Sequence, residues 1–427
     1  MLAKKISACL CAALLAFGAV SVCAFRAAAA QEDDGWLKMS ANTAGARYIV
    51  DNNGRPFHLF GMARCQYHTS WESNIIGGGA YGLASYYKNL GCNSIRLSFY
   101  FNREEDPGKN LVEECGGFTE AGINQYIDLY VEPDLRAIIN AGMYVVLDLH
   151  EYPVPDDKND PDPAYLLAQA REQYIPVWAA LAKRYKDEPM IAMFELWNEP
   201  YAADAGTLHI NSKGYIDAGK YRGYDWNKGV CKFYIDCVNE IRKYDTRHIL
   251  LISDFNAGWG TGWAASWNGP ACAYKNRALL DPAYNNILFS AHAAERQLRE
   301  DYARHRDHWA NICDYYNIGI QFGEVELEDE LASVESITNF VTMLSEKQAS
   351  HHYAAMLWRP HLSAGGTNGD DYASVWSGFA KAYTSPESGK PETPAYKLTL
   401  WRRAVNFFTM IFNWIVDFFY GCYYRLF

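Results

Sequence analysis

Short apolar runs alternate along this chain with longer stretches in which apolar residues recur at helical spacing. The runs fall at residues 58–62, 93–99, 144–149, 190–196, 248–253, 286–290, 318–322 and 354–358, and they read as strands. Helical patterns occupy 81–90, 123–140, 164–185, 226–244, 295–317 and 330–350. Strand followed by helix, repeated, is the pattern of a parallel sheet covered by its own crossovers. Eight such strands predict an α/β fold, a (β/α)8 TIM barrel. Residues 256–281 break the rhythm: they are rich in Gly and Trp and read as a long loop with little helix. Residues 35–56, with Asn52-Asn53-Gly54 at a turn, read as a hairpin closing the bottom of the barrel.

The two ends follow other patterns. Lys4 and Lys5 precede an apolar run from about residue 6 to 22, and Ala27-Ala28-Ala29-Ala30 precedes the polar Gln31-Glu32-Asp33-Asp34. This predicts a signal peptide over 1–30, hence a secreted, extracellular protein. After Arg402-Arg403, residues 404–420 are mostly aromatic or aliphatic, with Asn406, Asn413 and Asp417 spaced along one helical face. That pattern predicts a hydrophobic amphipathic helix in a tail over 391–427, leaving 31–390 for the barrel domain. The expectation is peripheral contact of residues 404–420 with a membrane surface or a protein, ahead of docking on the barrel itself or a true span, since a span needs about 20 apolar residues.

Composition narrows the partners. The chain has 427 residues, 49% of them hydrophobic and 21% charged, so a sizeable core is available and disorder is excluded. A net charge of −11, with no basic cluster, argues against nucleic acid. Aromatics reach 15%, with 13 Trp and 31 Tyr, which supplies flat rings for the apolar faces of sugars. Beyond the leader the cysteines are Cys65, Cys92, Cys115, Cys231, Cys237, Cys272, Cys313 and Cys422. Their even number permits disulfides without choosing a pairing, and several read equally well as buried thiols. No pair has the C-x-x-C spacing of a zinc site, and no metal or organic cofactor is expected.

In a barrel of this type the chemistry gathers where the strands end, because the loops there converge on one cavity. The polar residues at those ends are Arg96 in the second strand, His150 after the third, Asn198 and Glu199 after the fourth, His292 after the sixth, Glu324 ending the seventh and Trp358 ending the eighth. Two carboxylates on opposite sides of a barrel mouth suit glycoside hydrolysis, in which one protonates the leaving oxygen and the other attacks or activates water. Glu199 lies in an apolar strand end suited to a proton donor, and Arg96 is placed to pair with Glu324.

Trp197-Asn198-Glu199-Pro200 after a strand, with Gly323-Glu324 at the end of a later one, resembles glycoside hydrolase family 5, the cellulase-like group of the large retaining (β/α)8 clan. Asp51-Asn52-Asn53-Gly54-Arg55-Pro56, Leu59-Phe60-Gly61-Met62 and Asn93-Ser94-Ile95-Arg96-Leu97 resemble its early segments, so the likeness covers roughly residues 40–380. The resemblance implies Glu199 as acid/base, Glu324 as nucleophile, Asn198 at the sugar 2-hydroxyl, Arg96 near the nucleophile, His150 and His292 lining the site and Trp358 under the reactive sugar. It further implies a retaining β-glycosidase acting on β-linked polysaccharides or oligosaccharides in the manner of a cellulase or mannanase. One position departs: the family usually carries a Tyr two residues after the later His, and this chain has Ala294, leaving Tyr302 or Tyr67 as conceivable substitutes.

Other readings compete at single positions. Glu195 and Asp148 read as buried structural carboxylates. Glu326, Glu328 and Asp329 rival Glu324 but fall where the strand should already have ended. His351 and His352 precede the eighth strand and read as structural. Trp259, Trp263 and Trp267 sit on the long loop and offer stacking faces for successive sugars, with Tyr67, His68 and His361 as rim candidates. A glycan-binding protein without turnover, or a hydrolase of lipid-linked glycans, are the alternative functions.

Overall fold

The computed structural model describes residues 34–41, 45–65, 79–103, 106–154, 161–200, 210, 215–253, 286–294, 302–326, 330–348, 350–358 and 379–385. The leader, the tail, the 256–281 loop and the candidates Tyr67, His68, Trp259, Trp263 and His361 lie outside these residues. In chain order the strands are β1 (Lys38–Met39), β2 (Ile49–Val50), β3 (Phe60–Cys65), β4 (Ser94–Phe99), β5 (Asn102–Arg103), β6 (Asp106–Asn110), β7 (Tyr144–Leu149), β8 (Ile191–Glu195), β9 (Ile249–Ser253), β10 (Ile287–Ala294), β11 (Ile320–Glu326) and β12 (Ala354–Trp358). Eight of them close into a parallel barrel in the order β3-β4-β7-β8-β9-β10-β11-β12, with β12 pairing back onto β3. All eight strands expected from the apolar runs are present.

Closure depends on tight contacts between neighbours. A Cβ at Gly61 would lie 1.8 Å from the carbonyl oxygen of Ser94, so only glycine lets β3 approach β4 this closely. Apolar residues pack the lower interior: Leu59, Val146, Met193, Ile249 and Leu251 meet Leu37, Met39 and Ile49 of the N-terminal segment. That segment closes the bottom as expected, but with two reversals rather than one. β1 pairs antiparallel with β2, and Asn52-Asn53-Gly54 turns the chain again after β2, where Gly54 N donates to Asp51 O at φ 77°.

The predicted 123–140 helix is interrupted. Helix Glu120–Tyr126, capped by Thr119 on Gly122 N at 3.1 Å, opens into a π turn at Ile127–Val131 before helix Glu132–Asn140. Pro133 has no N–H with which to continue the regular ladder, and the wider turn absorbs that loss. The 226–244 helix ends at Ile241.

Helix Pro163–Tyr185 starts under an Asp162 cap that accepts from Ala164 N at 2.8 Å. Its face of Leu166, Ala170, Val177, Trp178 and Leu181 is buried at the spacing an amphipathic helix needs. Trp178 Nε1 donates to Leu196 O at 2.9 Å, tying this helix to the end of β8. Trp197 Nε1 holds Glu151 O at 3.1 Å, Asn198 N holds Leu149 O at 2.9 Å, and Trp226 Nε1 holds Pro200 O at 3.2 Å. Residues 196–200 are therefore fixed from several sides, although they belong to no strand.

His351 and His352 do sit before β12 in a buried polar cluster. His58 Nδ1 lies 3.0 Å from Tyr383 O and its Nε2 lies 2.7 Å from His352 Nδ1. His351 lies 3.2 Å from Asp314. Cys92, Cys115, Cys231, Cys237 and Cys313 are buried free thiols.

Candidate active site

The site is organised around Arg96, which is fully buried inside the barrel. Its Nε donates to Glu195 Oε2 at 2.6 Å, Nη1 to Glu324 Oε1 at 2.8 Å, and Nη2 to Asn198 Oδ1 at 2.8 Å, with Asp148 Oδ2 3.0 Å away. One guanidinium on β4 thus links β7, the end of β8 and β11 across the lumen, which its planar fork of donors permits. Burial by itself would lower the Arg96 pKa, but the charges of Asp148, Glu195 and Glu324 raise it well above the ordinary value. Burial pushes the Asp148 carboxyl up, and Arg96 and His150 more than reverse this and hold it below its usual range. Glu195 and Asp148 are thus structural partners of Arg96, with Ser253 Oγ donating to Glu195 Oε1 at 2.9 Å and Ser98 Oγ to Asp148 Oδ2 at 2.6 Å.

Arg96 only donates, so the Asn198 oxygen must face it and the Asn198 Nδ2 must donate elsewhere. It lies 3.0 Å from His150 Nε2 and 3.1 Å from the Tyr152 hydroxyl. His150 Nε2 is then an acceptor, which places its proton on Nδ1, 2.8 Å from Asp148 Oδ2. Trp358 stacks on His150, with centroids 5.4 Å apart and planes 7° apart.

Two sequence placements are corrected here. His292 lies within β10, which runs to Ala294, and Glu324 lies within β11, which runs to Glu326. Glu326 is therefore the last strand residue and not part of a loop. Register shifts after Ala291 and after Phe322 lengthen both strands without straightening them, so His292 and Glu324 pair side by side. Gly323 makes this possible: a Cβ there would lie 2.3 Å from Ser290 Oγ and 3.2 Å from His292 Nε2.

Glu199 adopts a left-handed backbone, φ 41°, a conformation costly for a residue with a Cβ and held here by the pinned loop. Its Oε1 is 2.6 Å from His292 Nδ1, which is also 3.6 Å from Glu324 Oε2. Burial lowers the His292 pKa, but the charges of Glu324 and Glu199 and the Glu199 hydrogen bond raise it to about 9. Each carboxylate therefore has one oxygen held, Glu199 by His292 and Glu324 by Arg96, and among the described residues the other oxygen of each takes no hydrogen bond. One oxygen of each Glu and a nitrogen of His292 lie within 4.8 Å of one another. A cavity of about 720 Å³ lies elsewhere, on the outer face between Ile123, Ile175 and Tyr244, and has no part in this constellation.

The pattern of Cellulase (glycosyl hydrolase family 5) matches residues 50–356. The chain belongs to glycosyl hydrolase family 5. A beta-xylosidase from Phanerodontia chrysosporium is 26% identical to this family 5 chain over 238 residues, 52% of the chain and 43% of that protein. The chain thus spans less than half the length of that relative. A solved cellulase superposes with a TM-score of 0.51 at 18% identity, over 83% of this chain and 94% of its own. A triple-substituted endo-beta-1,4-glucanase from Xanthomonas axonopodis pv. citri gives 0.51 at 17% identity, over 76% of this chain and 99% of its own. At these identities the solved structures share the fold.

Arg96, His150, Asn198, Glu199, His292, Glu324 and Trp358 are brought together as a group. Tyr152 was not singled out in the sequence, yet burial and then the charges of Glu199 and Glu324 raise its pKa well above the ordinary value. A signal for it exists: Asp148, His150 and Tyr152 continue the two-residue period of β7 past its last residue.

Proposed function

We propose that this family 5 protein is a secreted retaining β-glycosidase that hydrolyses β-linked polysaccharides or oligosaccharides. The observation that carries this reading is the facing pair Glu199 and Glu324, with oxygens within 4.8 Å and one oxygen of each taking no hydrogen bond among the described residues. Retaining enzymes place their carboxyls about 5 to 5.5 Å apart and inverting ones about 6.5 to 9.5 Å. The close approach of one oxygen of each Glu lies on the retaining side of these ranges and supports direct attack by Glu324.

In this reading the proton of the Glu199–His292 pair resides on Glu199 when the glycan is bound; Glu324 Oε2 attacks the anomeric carbon while Glu199 gives that proton to the departing glycosidic oxygen, whose bond to carbon breaks. Glu199, now a carboxylate, takes a proton from water, and that water displaces Glu324 from the anomeric carbon. Arg96 steadies the Glu324 charge through Oε1, His292 fixes Glu199 through Oε1, and Trp358, held flat by His150, floors the sugar. A β-linked glycan is supported by the family and by the beta-xylosidase relative. Trp259, Trp263, Tyr67 and His68 would extend the cleft for further sugar units.

Export rests on the Lys4-Lys5 leader and its alanine run, and surface attachment on residues 404–420. Turnover on a panel of β-glycans, beside Glu199→Gln and Glu324→Gln, tests the chemistry. Undiminished hydrolysis by Glu324→Gln would remove the nucleophile assignment. Equal vesicle flotation with and without residues 400–427 would reject membrane attachment.

A further inference from the structure

The chain of donors that starts at Arg96 ends on a group that has not yet been given work. Arg96 fixes the Asn198 oxygen, so the Asn198 amide donates, and the Tyr152 oxygen receives one of those donations at 3.1 Å. A phenol that accepts in this way still has its own hydrogen to give. Among the described residues no acceptor takes it. The ring also makes an edge-on contact with His150, centroids 6.2 Å apart. Burial first, and then the charges of Glu199 and Glu324, favour the neutral, proton-bearing phenol that can serve as a donor.

We infer that Tyr152 is a substrate-touching residue of this site, its hydroxyl hydrogen donated to a sugar hydroxyl beside the bond that Glu199 and Glu324 cleave. This rests on the proposed glycosidase reading and deepens it by assigning a specificity contact. Asn198 and Tyr152 then act as one unit: Arg96 sets the amide, the amide sets the phenol oxygen, and the phenol presents a donor whose direction is fixed before the glycan arrives. Such a preset donor adds affinity most strongly where the sugar oxygen gains charge.

The test is a cycle between Tyr152→Phe and monodeoxy 4-nitrophenyl β-glycosides of whichever glycan is turned over. Tyr152→Phe keeps the ring, and a melting curve matching wild type verifies that it folds. On the parent glycoside kcat/KM should fall at least about tenfold. On one monodeoxy analogue wild type should lose a similar factor, and the penalty of the substitution should disappear. A penalty of the same size on every analogue would mean that Tyr152 only props Asn198, and the contact would be rejected. If Tyr152→Phe does not fold, the wild-type profile decides alone, because no analogue standing out as poorer also rejects the contact. Wild-type protein inactive on all parent glycosides would instead remove the glycosidase reading, and this contact with it.

Discussion

His292 Nδ1 lies 2.6 Å from Glu199 Oε1 and 3.6 Å from Glu324 Oε2, so one ring nitrogen faces both carboxyls of the site. Burial opposes a charge on that ring, yet the two glutamates raise its pKa from 6.5 to about 9. A histidine whose folded pKa exceeds its unfolded value stabilises fully below the unfolded pKa and loses that contribution as pH rises through the folded one. Wild-type unfolding free energy should therefore fall between about pH 6.5 and 9 by up to a few kcal/mol. Urea denaturation of His292→Asn should give a flatter profile over this window; parallel profiles would reject the imidazolium.

At the other end of the barrel the sign reverses. Burial lowers the His58 pKa to about 4 and, with the neighbouring His58 and His351 charges, the His352 pKa to about 3. Both rings fold neutral, so the unfolded chain binds more protons below about pH 6.5. Stability should drop as pH falls from 6.5 towards 4, at up to about 1.4 kcal/mol per pH unit for each histidine. His352→Asn, which tolerates the left-handed backbone at φ 45°, should remove roughly half of this slope. An unchanged slope in denaturation midpoints would discount the pair.

Arg96 pairs with Asp148, Glu195 and Glu324 inside the barrel, and removing it strands buried charge. Arg96→Met should cost about 3 to 5 kcal/mol of unfolding free energy. Arg96→Lys keeps the charge but cannot reproduce the fork, so it should recover part of the stability and little of the activity. Equal activity in Arg96→Lys and wild type would count against a positioning role.

Gly323 is required by contact rather than by backbone angle, because its missing Cβ would meet Ser290 Oγ at 2.3 Å. Gly323→Ala should cost about 1 to 3 kcal/mol, and Ser290→Ala in the same chain should return part of it. Strict additivity of the two substitutions in urea melts would place the strain elsewhere.

Much of this was legible in the chain itself. The eight strands, the place of Arg96 within β4 and the strand-end positions of His150, Asn198, Glu199 and Trp358 follow from local hydrophobic period and strand length, which neighbouring residues set. The extensions of β10 and β11 were not legible, because they run through His292 and Glu324, polar residues that end an apolar run in any sequence reading. Their pairing becomes favourable only once the adjacent strand supplies the bulged register. Tyr152 escaped for a similar reason: its two-residue spacing from His150 is visible, but its neighbours are not.

The amino-acid order thus determined the barrel and the stock of acids, bases and rings at one end of it, since both depend on short-range spacing. Tertiary structure alone decided that the Arg96 guanidinium would join β7, the β8 end and β11, that His292 would stand between two glutamates 125 residues apart in the chain, and that the Tyr152 oxygen would accept from Asn198 Nδ2. Those outcomes depend on distances across a closed lumen, where burial makes every unpaired charge expensive and so selects which partners meet.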